Sequence, residues 1–230
     1  MGRCVVIGGA DIADYDRIAG FLRADDFLIF CDSGLKHMEA LAVKPDLIIG
    51  DFDSFENPKS GIETIVLPTV KDDTDTVYAV KEALKRGFDD FLLTGTIGGR
   101  IDHTLGNISI LLMLDSMDIN AVMVDDYSEV SVVSRRPAYI EDSYRFFSLL
   151  NISGKAVGIT IRNAKYPLEN GEINCDYQYG VSNEVLPGST AMVGVEDGRL
   201  LLVKVVKDID PHRTGICRQG TDHGCDIKII

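Results

Sequence analysis

Short apolar runs alternate with amphipathic segments along the first 124 residues of the chain. The apolar runs have the length of strands, and strands are predicted at 4–7, 27–31, 47–49, 64–67, 91–93 and 121–124. The segments between them carry apolar residues at helical spacing, and helices are predicted at 15–23, 35–41, 76–86 and 104–114. Continuous apolar strands that alternate with helices are typical of a mostly parallel sheet covered on both faces.

The pattern changes after Asp125 and Asp126. Short β-rich runs follow at 130–133, 138–140, 146–150, 157–161, 191–195 and 200–205. Turn-forming residues separate these runs and no segment has convincing helical periodicity, which predicts a small antiparallel sandwich. The predicted fold class is α/β. It comprises a three-layer, mostly parallel α/β domain over 1–126, an antiparallel β-sandwich over 127–207 and a polar tail over 208–230.

The charge balance excludes several classes of partner. The 230 residues include 36 acidic and 23 basic side chains, which gives a net charge of −13. Nucleic-acid binding and polybasic membrane anchoring both require clustered positive charge, so we expect neither. No apolar run approaches the roughly 20 residues that span a bilayer. The early glycines argue against a signal peptide, and the odd cysteine count of 5 predicts free thiols in the cytoplasm.

Polar clusters follow five of the predicted strands, at 8–11, 32–34, 50–54, 71–75 and 95–103. Because the carboxyl ends of parallel strands meet at one edge of a sheet, we expect these clusters to converge there. That edge then carries a group of carboxylates: Asp32, Asp51, Asp53 and Asp75, with Asp72, Asp73 and Asp102 close by.

Crowded carboxylates repel one another, so such a cluster needs a cation, and Mg²⁺ is the hard, oxygen-seeking ion that joins carboxylates to phosphates. Asp51 and Asp53 are two residues apart, and in an extended segment both point the same way. The pairs Gly8-Gly9 and Gly98-Gly99 allow backbone N–H groups to approach phosphate oxygens, and Arg100 is suited to grip a phosphate with two hydrogen bonds. Together these groups indicate phosphoryl or pyrophosphoryl transfer.

Each of these signals also has a purely structural interpretation. Asp73, Thr74 and Asp75 lie just ahead of a predicted helix, where any one of them is suited to be the N-cap. Asp102 is in the same position ahead of the helix predicted from residue 104, with His103 and Asn107 one turn apart on one face. The glycine pairs are not a complete dinucleotide fingerprint. The functional interpretation depends on all five clusters falling at equivalent places in the pattern.

The motifs resemble those of the thiamine pyrophosphokinase family, in its bacterial form. The resemblance is carried by Cys31-Asp32-Ser33-Gly34, by the run from Lys44 to Ser54, by Lys71 to Asp75, by Gly98 to Asn107 and by Gly180 to Glu184. It spans roughly 2–206 and implies a Mg²⁺-dependent transfer of pyrophosphate from ATP to the hydroxyl of thiamine. It also implies an α/β catalytic domain, a thiamine-binding β-sandwich, and a homodimer with active sites between subunits.

The resemblance assigns roles to individual positions of this chain. Asp51 and Asp53 match the central acidic pair, and Asp32 and Asp75 match flanking acidic positions. The implied catalytic residues are Asp51, Asp53, Asp75, Arg100 and Asp102, of which Asp51, Asp53 and Asp75 hold the metal. The implied nucleotide-binding residues are Gly8, Gly9, Asp32, Thr74, Gly98, Gly99, His103 and Asn107. Ser182 matches a thiamine contact, and Asn183 adjoins it in the same turn.

Two other functions fit part of the same pattern. A metal-dependent phosphohydrolase uses an acidic cluster to activate water, and a regulatory nucleotide-binding module needs the glycine turns without any turnover. The tail adds a further alternative, a zinc site built from His212, Cys217, His223 and Cys225. That spacing is not one of the standard zinc-finger spacings, so a loosely held polar tail is the expectation there.

Overall fold

The structure is a computed structural model, and it describes residues 2–52, 61–70, 72–152 and 154–206. The N-terminal half of these residues forms the elements β1 (Cys4–Ile7), α1 (Tyr15–Ala19), β2 (Phe27–Cys31), a 3₁₀ helix (Asp32–His37), β3 (Leu47–Gly50), β4 (Glu63–Val66), α2 (Asp75–Lys85), β5 (Asp90–Thr94), α3 (Ile101–Ser116) and β6 (Asn120–Val124). The C-terminal half forms β7 (Ser128–Val133), β8 (Ala138–Glu141), β9 (Tyr144–Leu150), β10 (Lys155–Arg162), β11 (Leu168–Asn174), β12 (Gly180–Asn183), β13 (Thr190–Gly194) and β14 (Leu200–Val206).

Ten of these strands form one sheet, in the order β12-β9-β14-β7-β6-β5-β1-β2-β3-β4. Strands β1 to β6 pair in parallel, and antiparallel pairing begins between β6 and β7. The other four strands form a second, antiparallel sheet in the order β11-β10-β13-β8. The predicted fold class is confirmed: a mostly parallel α/β part is joined to an antiparallel sandwich.

Alternation along the parallel strands builds a core on each face of the sheet. In β1, Cys4 and Val6 pack into the core beneath α2 and α3, whereas Val5 and Ile7 pack into the core beneath α1 and the 3₁₀ helix. Successive side chains of a strand point to opposite faces, so an unbroken apolar run is needed when both faces are covered. The result is a three-layer arrangement of helices, sheet and helices.

A third core lies between the two sheets. Leu200 and Leu202 of β14 pack into it against strands of the second sheet, while Leu201 points to the opposite face and joins the core beneath α3. The ten-stranded sheet therefore runs without a break past residue 126, where the sequence placed the domain boundary. That position falls in the turn between β6 and β7.

Several predicted elements differ from the observed ones. Helix α3 begins at Ile101 rather than at 104, and its buried stripe uses Ile110, Leu111 and Leu114, whereas Leu105 is 57% exposed. The helix predicted over 35–41 is instead the 3₁₀ helix Asp32–His37, which starts directly at the end of β2. Strands β11 and β12 were not predicted, because their exposed edge positions carry polar residues and glycine.

Within the described residues, no helix has both the length and the apolarity required to cross a membrane. The tail predicted over 208–230, including its four candidate zinc ligands, lies outside the described residues, and so does Asp53.

Candidate active site

A cleft of about 590 Å³ opens at the carboxyl edge of the parallel strands. The turns that follow β1, β2, β3 and β5 line it, together with the first residues of α2. The converging strand ends therefore bring together groups that are almost 100 residues apart in sequence. The predicted site residues in its lining are Gly8, Gly9, Asp32, Asp51, Thr74, Asp75, Gly98, Gly99, Arg100, His103 and Asn107.

Three carboxylates meet in the cleft, from Asp32, Asp51 and Asp75. Each offers one oxygen, and these oxygens all lie within 4.8 Å of one another. We call these residues the acidic triad. Three like charges at this distance repel strongly unless a cation or protons compensate them. A set of hard oxygen donors suits Mg²⁺, so the residues present fit the predicted ion.

The acidic triad differs in membership from the predicted metal set. Asp51 and Asp75 are shared, and Asp32 is the third carboxylate. The residue pattern placed Asp32 in the same acidic group, whereas the family resemblance assigned it to nucleotide binding. Asp53 lies outside the described residues. The sequence argument paired Asp51 with Asp53 across an extended segment, but Phe52 between them has φ = +56°, so the backbone is not extended there.

The backbone around the triad adopts uncommon conformations. Asp32 has φ = +34° and Phe52 has φ = +56°, both in the left-handed region that residues other than glycine seldom adopt. A Cβ at Gly50 would come within 2.9 Å of the Asp32 Cβ, so a glycine is required for the ends of β2 and β3 to approach this closely. Strained backbone of this kind concentrates at functional sites.

Two glycine turns in the lining of the cleft, after β1 and after β5, pack against each other. The N–H groups of Gly8 and Ala10 donate to the carbonyls of Thr94 and Gly95, at 2.9 and 2.8 Å. A Cβ at Gly8 would come within 2.5 Å of the Gly95 carbonyl oxygen. By contrast, a Cβ at Gly99 would meet no atom within 4 Å. The turn after β1 is thus fastened to β5, while the Gly99 backbone lies open to a ligand.

Helix α3 begins beside this open backbone. Its N-cap residue is Arg100, which makes no side-chain capping bond to the helix. The first N–H groups of a helix attract anions through their partial positive charge. The Gly98 N–H donates to the hydroxyl of Thr104 at 3.2 Å, which ties the glycine turn to the first turn of α3.

Arg100 and Asp102 form an exposed ion pair at the start of α3. The guanidinium donates to the carboxylate through Nε at 3.2 Å and Nη2 at 2.5 Å. The pairing lowers the pKa of Asp102 and raises that of Arg100. Both side chains are more than 60% exposed, so this pair is weak and Arg100 is able to exchange its partner for a phosphate.

The prediction that Asp102 caps a helix from residue 104 is wrong, because α3 starts three residues earlier and places Asp102 in its first turn. Of the alternatives left open ahead of α2, Thr74 is the N-cap, and its hydroxyl accepts from the Val77 N–H at 3.3 Å. His103 and Asn107 both line the cleft from α3. Asn107 is buried and donates to the Thr96 carbonyl at 2.7 Å, which holds the turn after β5.

Ser182 and Asn183 lie far from this cleft within one chain. They belong to β12, which is six strands away from β1 in the sheet order. At roughly 4.8 Å per strand, that separation is about 29 Å. Ser182 is exposed with φ = +57°, and its N–H donates to the hydroxyl of Ser148 at 3.0 Å.

Asn183 has a different environment from Ser182. Its buried amide accepts from the Tyr166 and Glu184 N–H groups at 3.0 and 2.9 Å and donates to the Tyr166 carbonyl at 2.8 Å. Asn183 therefore holds the backbone of Tyr166, whose side chain is 60% exposed. It shapes this surface rather than presenting its own amide to a ligand.

Seven further residues line the cleft without having been given a role: Ala10, Asp11, Cys31, Ser33, Thr76, Gly95 and Thr96. Five of them lie in the polar clusters that strand-end placement predicted to converge here, whereas Cys31 and Thr76 lie just outside those clusters and were not predicted. Cys31 is buried, and burial raises its pKa well above the usual range, so it serves as an apolar floor and not as a nucleophile.

Comparison with known proteins agrees with this geometry. The model of the thiamin pyrophosphokinase catalytic domain matches residues 19–123, and that of the thiamin pyrophosphokinase vitamin B1 binding domain matches residues 136–200. The chain belongs to the thiamine pyrophosphokinase family. The catalytic-domain match contains the whole acidic triad, Arg100 and Asn107, and the B1-binding match contains Ser182 and Asn183.

Individual thiamine pyrophosphokinases are distant in sequence but similar in fold. The chain is 28% identical over 177 residues to the thiamine pyrophosphokinase of Bacillus subtilis strain 168, covering 74% of this chain and 83% of the relative. A Bacillus subtilis crystal structure matches with a TM-score of 0.79 at 22% identity, covering 89% of this chain and 99% of the other. A Geobacillus thermodenitrificans structure matches with a TM-score of 0.77 at 24% identity, covering 91% and 99%. At these identities the two structures establish the shared fold.

Proposed function

We propose that this thiamine pyrophosphokinase transfers the pyrophosphoryl group of ATP to the hydroxyl of thiamine, with Mg²⁺ held by the acidic triad. The observation that carries the proposal is the convergence of Asp32, Asp51 and Asp75 within 4.8 Å, in a cleft walled by glycine turns. Family membership supplies the substrates, and the cleft supplies the groups that pyrophosphoryl transfer requires.

The reaction exchanges one bond to phosphorus for another. A bond forms between the thiamine hydroxyl oxygen and the β-phosphorus of ATP, and the bond from that phosphorus to the α–β bridging oxygen breaks. AMP leaves with the bridging oxygen, thiamine diphosphate forms, and the hydroxyl proton is released. Bound Mg²⁺ supplies charge compensation for the phosphate oxygens.

The protein groups have separate tasks in this scheme. The acidic triad holds the ion, and its position at the strand ends fixes where the phosphates lie. The N–H groups of the open Gly99 backbone and of the first turn of α3 donate to phosphate oxygens. Arg100 exchanges its exposed bond to Asp102 for two bonds to phosphate, and His103 and Asn107 border the same wall.

A homodimer with composite active sites is the second part of the proposal. The strand that carries Ser182 lies five strand spacings from β5 and six from β1, which is roughly 24–29 Å across the sheet and too far for one thiamine molecule to touch both Ser182 and the cleft of the same chain. Apolar side chains are exposed in both places: Val181 and Tyr166 near Ser182 are 53% and 60% exposed, and Ile101 and Leu105 beside the cleft are 68% and 57% exposed. A second chain that covers these surfaces would bring its Ser182 to the cleft, and a two-fold axis would create two such sites.

Thiamine also suits this composite site electrostatically. Its thiazolium ring is a cation, and the acidic triad places negative charge on the proposed opposite wall. We also propose that the enzyme acts in the cytoplasm, because no two of the three cysteines in the described part of the chain, Cys4, Cys31 and Cys175, form a disulfide.

The deciding experiment is an AMP assay on the purified protein with ATP, Mg²⁺ and thiamine. We expect AMP and thiamine diphosphate in equal amounts, and none of either when thiamine or Mg²⁺ is left out. Phosphate or diphosphate release from ATP without thiamine would indicate a phosphohydrolase instead. ATP binding without any turnover would indicate a regulatory module.

A further inference from the structure

The segment that follows β1 forms one wall of the cleft, and its residues 8–11 all face the ligand space. Its N–H groups at Gly8 and Ala10 are used to hold it against β5. The carbonyl of Ala10 is held from the other side, by a side chain that lies outside the cleft. That side chain is His37, the last residue of the 3₁₀ helix.

His37 is 1% exposed and makes two hydrogen bonds. Its Nε2 lies 2.9 Å from the Ala10 carbonyl oxygen, and its Nδ1 lies 2.8 Å from the hydroxyl of Tyr15. A carbonyl only accepts, so Nε2 carries the hydrogen and donates to it. Burial lowers the pKa of His37 and thereby favours the neutral ring, in which Nδ1 accepts from the Tyr15 hydroxyl. Both ring nitrogens are thereby satisfied.

The 3₁₀ helix connects this contact to the acidic triad. Its first residue, Asp32, is a member of the triad, and its last residue, His37, holds the turn after β1. In between, a Cβ at Gly34 would collide with the Ile7 carbonyl oxygen and come within 3.0 Å of the Gly8 oxygen. One short element therefore packs directly on the end of β1 and fixes the triad and the glycine turn relative to each other.

We infer that His37 is a positioning residue of the nucleotide site, which acts by holding the Ala10 carbonyl so that Gly8 and Gly9 keep their orientation toward ATP. This inference rests on the proposed function, since it assigns the turn to ATP. Tyr15, the first residue of α1, orients the histidine ring in turn. Neither side chain lines the cleft.

A second bond between the same two segments provides a control. Lys36 Nζ lies 2.6 Å from Asp11 Oδ1, but the two side chains are 37% and 99% exposed. Solvent and salt screen an exposed pair, so it contributes little to the position of the turn. The Lys36→Met variant removes this bond from the same helix without touching His37.

The test compares His37→Gln with His37→Asn. The glutamine amide nitrogen reaches the position of the histidine Nε2 and keeps a donor for Ala10, whereas the shorter asparagine does not. We expect His37→Asn to raise the KM for ATP about tenfold, as for the loss of a buried hydrogen bond, with His37→Gln within about threefold of the wild type. The KM for thiamine should stay within about twofold of the wild type in both His37 variants. In Lys36→Met, the KM for ATP and the KM for thiamine should both stay within about twofold of the wild type.

Direct ATP titration without thiamine separates this inference from the proposed function. A wild-type protein that binds no ATP would overturn the proposed function and the inference with it. If the wild type binds ATP but His37→Gln and His37→Asn have equal KM values for ATP, the inference alone is overturned. It is also overturned if His37→Asn lowers the melting temperature without changing the KM for ATP. If both histidine variants fail to fold, Tyr15→Phe decides, because it removes one hydroxyl and should raise the KM for ATP by about threefold or more. An unchanged KM in that variant contradicts the inference.

Discussion

The two halves of the ten-stranded sheet place their polar groups in opposite ways. In the parallel half, Asp32 and Asp51 directly follow β2 and β3, Asp75 begins α2, and the three carboxylates meet within 4.8 Å. In the antiparallel half, Ser182 and Asn183 lie on β12 at the outer edge of the sheet. Parallel strands send every carboxyl end to one side, whereas antiparallel strands send alternate ends to opposite sides, so the parallel half concentrates residues and the antiparallel half disperses them.

The difference indicates which half forms a cleft within a single chain. The parallel half does so, with an acidic triad, glycine turns and a helix start. The antiparallel half offers an exposed edge whose residues have no facing wall within the described part of the chain. A catalytic constellation is therefore expected in the first half, and a docking surface that completes it in the second.

The largest expected effect is on the triad. Asp51→Asn or Asp75→Asn should lower kcat by at least about 10²-fold, because each removes a charge that holds the ion at the transferring group. The melting temperature should stay constant or rise, since repulsion among the three carboxylates is relieved. Steady-state AMP production at saturating Mg²⁺ measures the first effect and thermal unfolding the second.

Asp73→Asn is the matched control for the triad variants. Asp73 is two residues from Asp75, but it pairs with Lys81 at 2.6 Å and does not line the cleft. Its kcat should remain within about twofold of the wild type, as is usual for a screened surface pair. Comparable losses at Asp73 and Asp75 would show that charge in general, and not the triad, supports turnover.

The next effect tests whether the antiparallel half completes the site of a second chain. Asp51→Asn protein is mixed with Ser182→Arg protein, which places a cation where the thiazolium is expected. After subunit exchange, random pairing makes half of the dimers heterodimers, each with one intact site, so activity should return to about a quarter of the wild type. The readout is AMP production, with exchange followed by native mass spectrometry.

No recovery despite demonstrated exchange would contradict the composite site. Ser182 would then act, if at all, within its own chain, and the comparison between the two halves would lose its functional meaning.

A smaller effect is expected from Arg100→Lys, which keeps the charge but loses the planar fork of donors. We expect about a tenfold loss in kcat/KM for ATP, because the lysine makes one bond to phosphate where arginine makes two. The matched control is Arg136→Lys, at another exposed arginine, paired with Asp118 at 3.1 Å and outside the cleft. Equal kcat/KM values for ATP in the wild type and in Arg100→Lys would show that Arg100 bonds to Asp102 and does not hold a phosphate.

Substitution of buried amides compares the stability of the two halves. Asn183→Ala leaves three backbone groups without their partner, at Tyr166 and Glu184, and should destabilise the fold by about 2–3 kcal/mol. Asn107→Ala removes one bond, to Thr96, and should cost about 1 kcal/mol. Urea unfolding measures the free energy of unfolding of both variants, and we predict the larger loss for Asn183→Ala. A larger loss for Asn107→Ala would contradict this prediction.

The smallest effect concerns thiol reactivity, with no change in turnover expected. Burial raises the pKa of Cys4 to about 12 and also raises the pKa of Cys31, whereas Cys175 in the antiparallel half is exposed. Alkylation of the native protein at pH 8 should label Cys175 and leave the two strand cysteines less than about a tenth modified. Peptide mass spectrometry reads each site. Rapid labelling of Cys31 would mean that the cleft floor opens to solvent.

Much of the parallel half was predictable from the sequence, because its signals are local. An unbroken apolar run predicts a strand. A polar residue or a glycine in the turn after that strand is then predicted to line the cleft, as Asp51 and Gly98 do. The strand positions and the family are confirmed. The roles of the individual site residues remain predictions, and the structure shows which of them lie together.

The rest depended on contacts that no local pattern reports. In the sequence, His37 is one polar residue of the helix predicted over 35–41, and only the folded chain brings it to Ala10, 27 residues earlier. Strand β11 has the sequence Leu-Glu-Asn-Gly-Glu-Ile-Asn, whose polar side chains suit an exposed edge and hide the strand from a hydrophobicity pattern. The sequence placed Asp32 in the acidic group, but it did not indicate the left-handed backbone that Asp32 adopts there.

The position of β14 has a consequence for how the chain folds. It is the last described strand along the chain, yet it lies inside the sheet, between β7 and β9. Lys204 bonds to Glu129, 75 residues earlier, and such distant pairings slow folding. Until β14 has been synthesised, β7 and β9 each keep an unpaired edge, which is a template for association with other chains. The three leucines of β14 then close two hydrophobic cores in one step. We therefore expect the docking of β14 to limit both the rate and the yield of refolding.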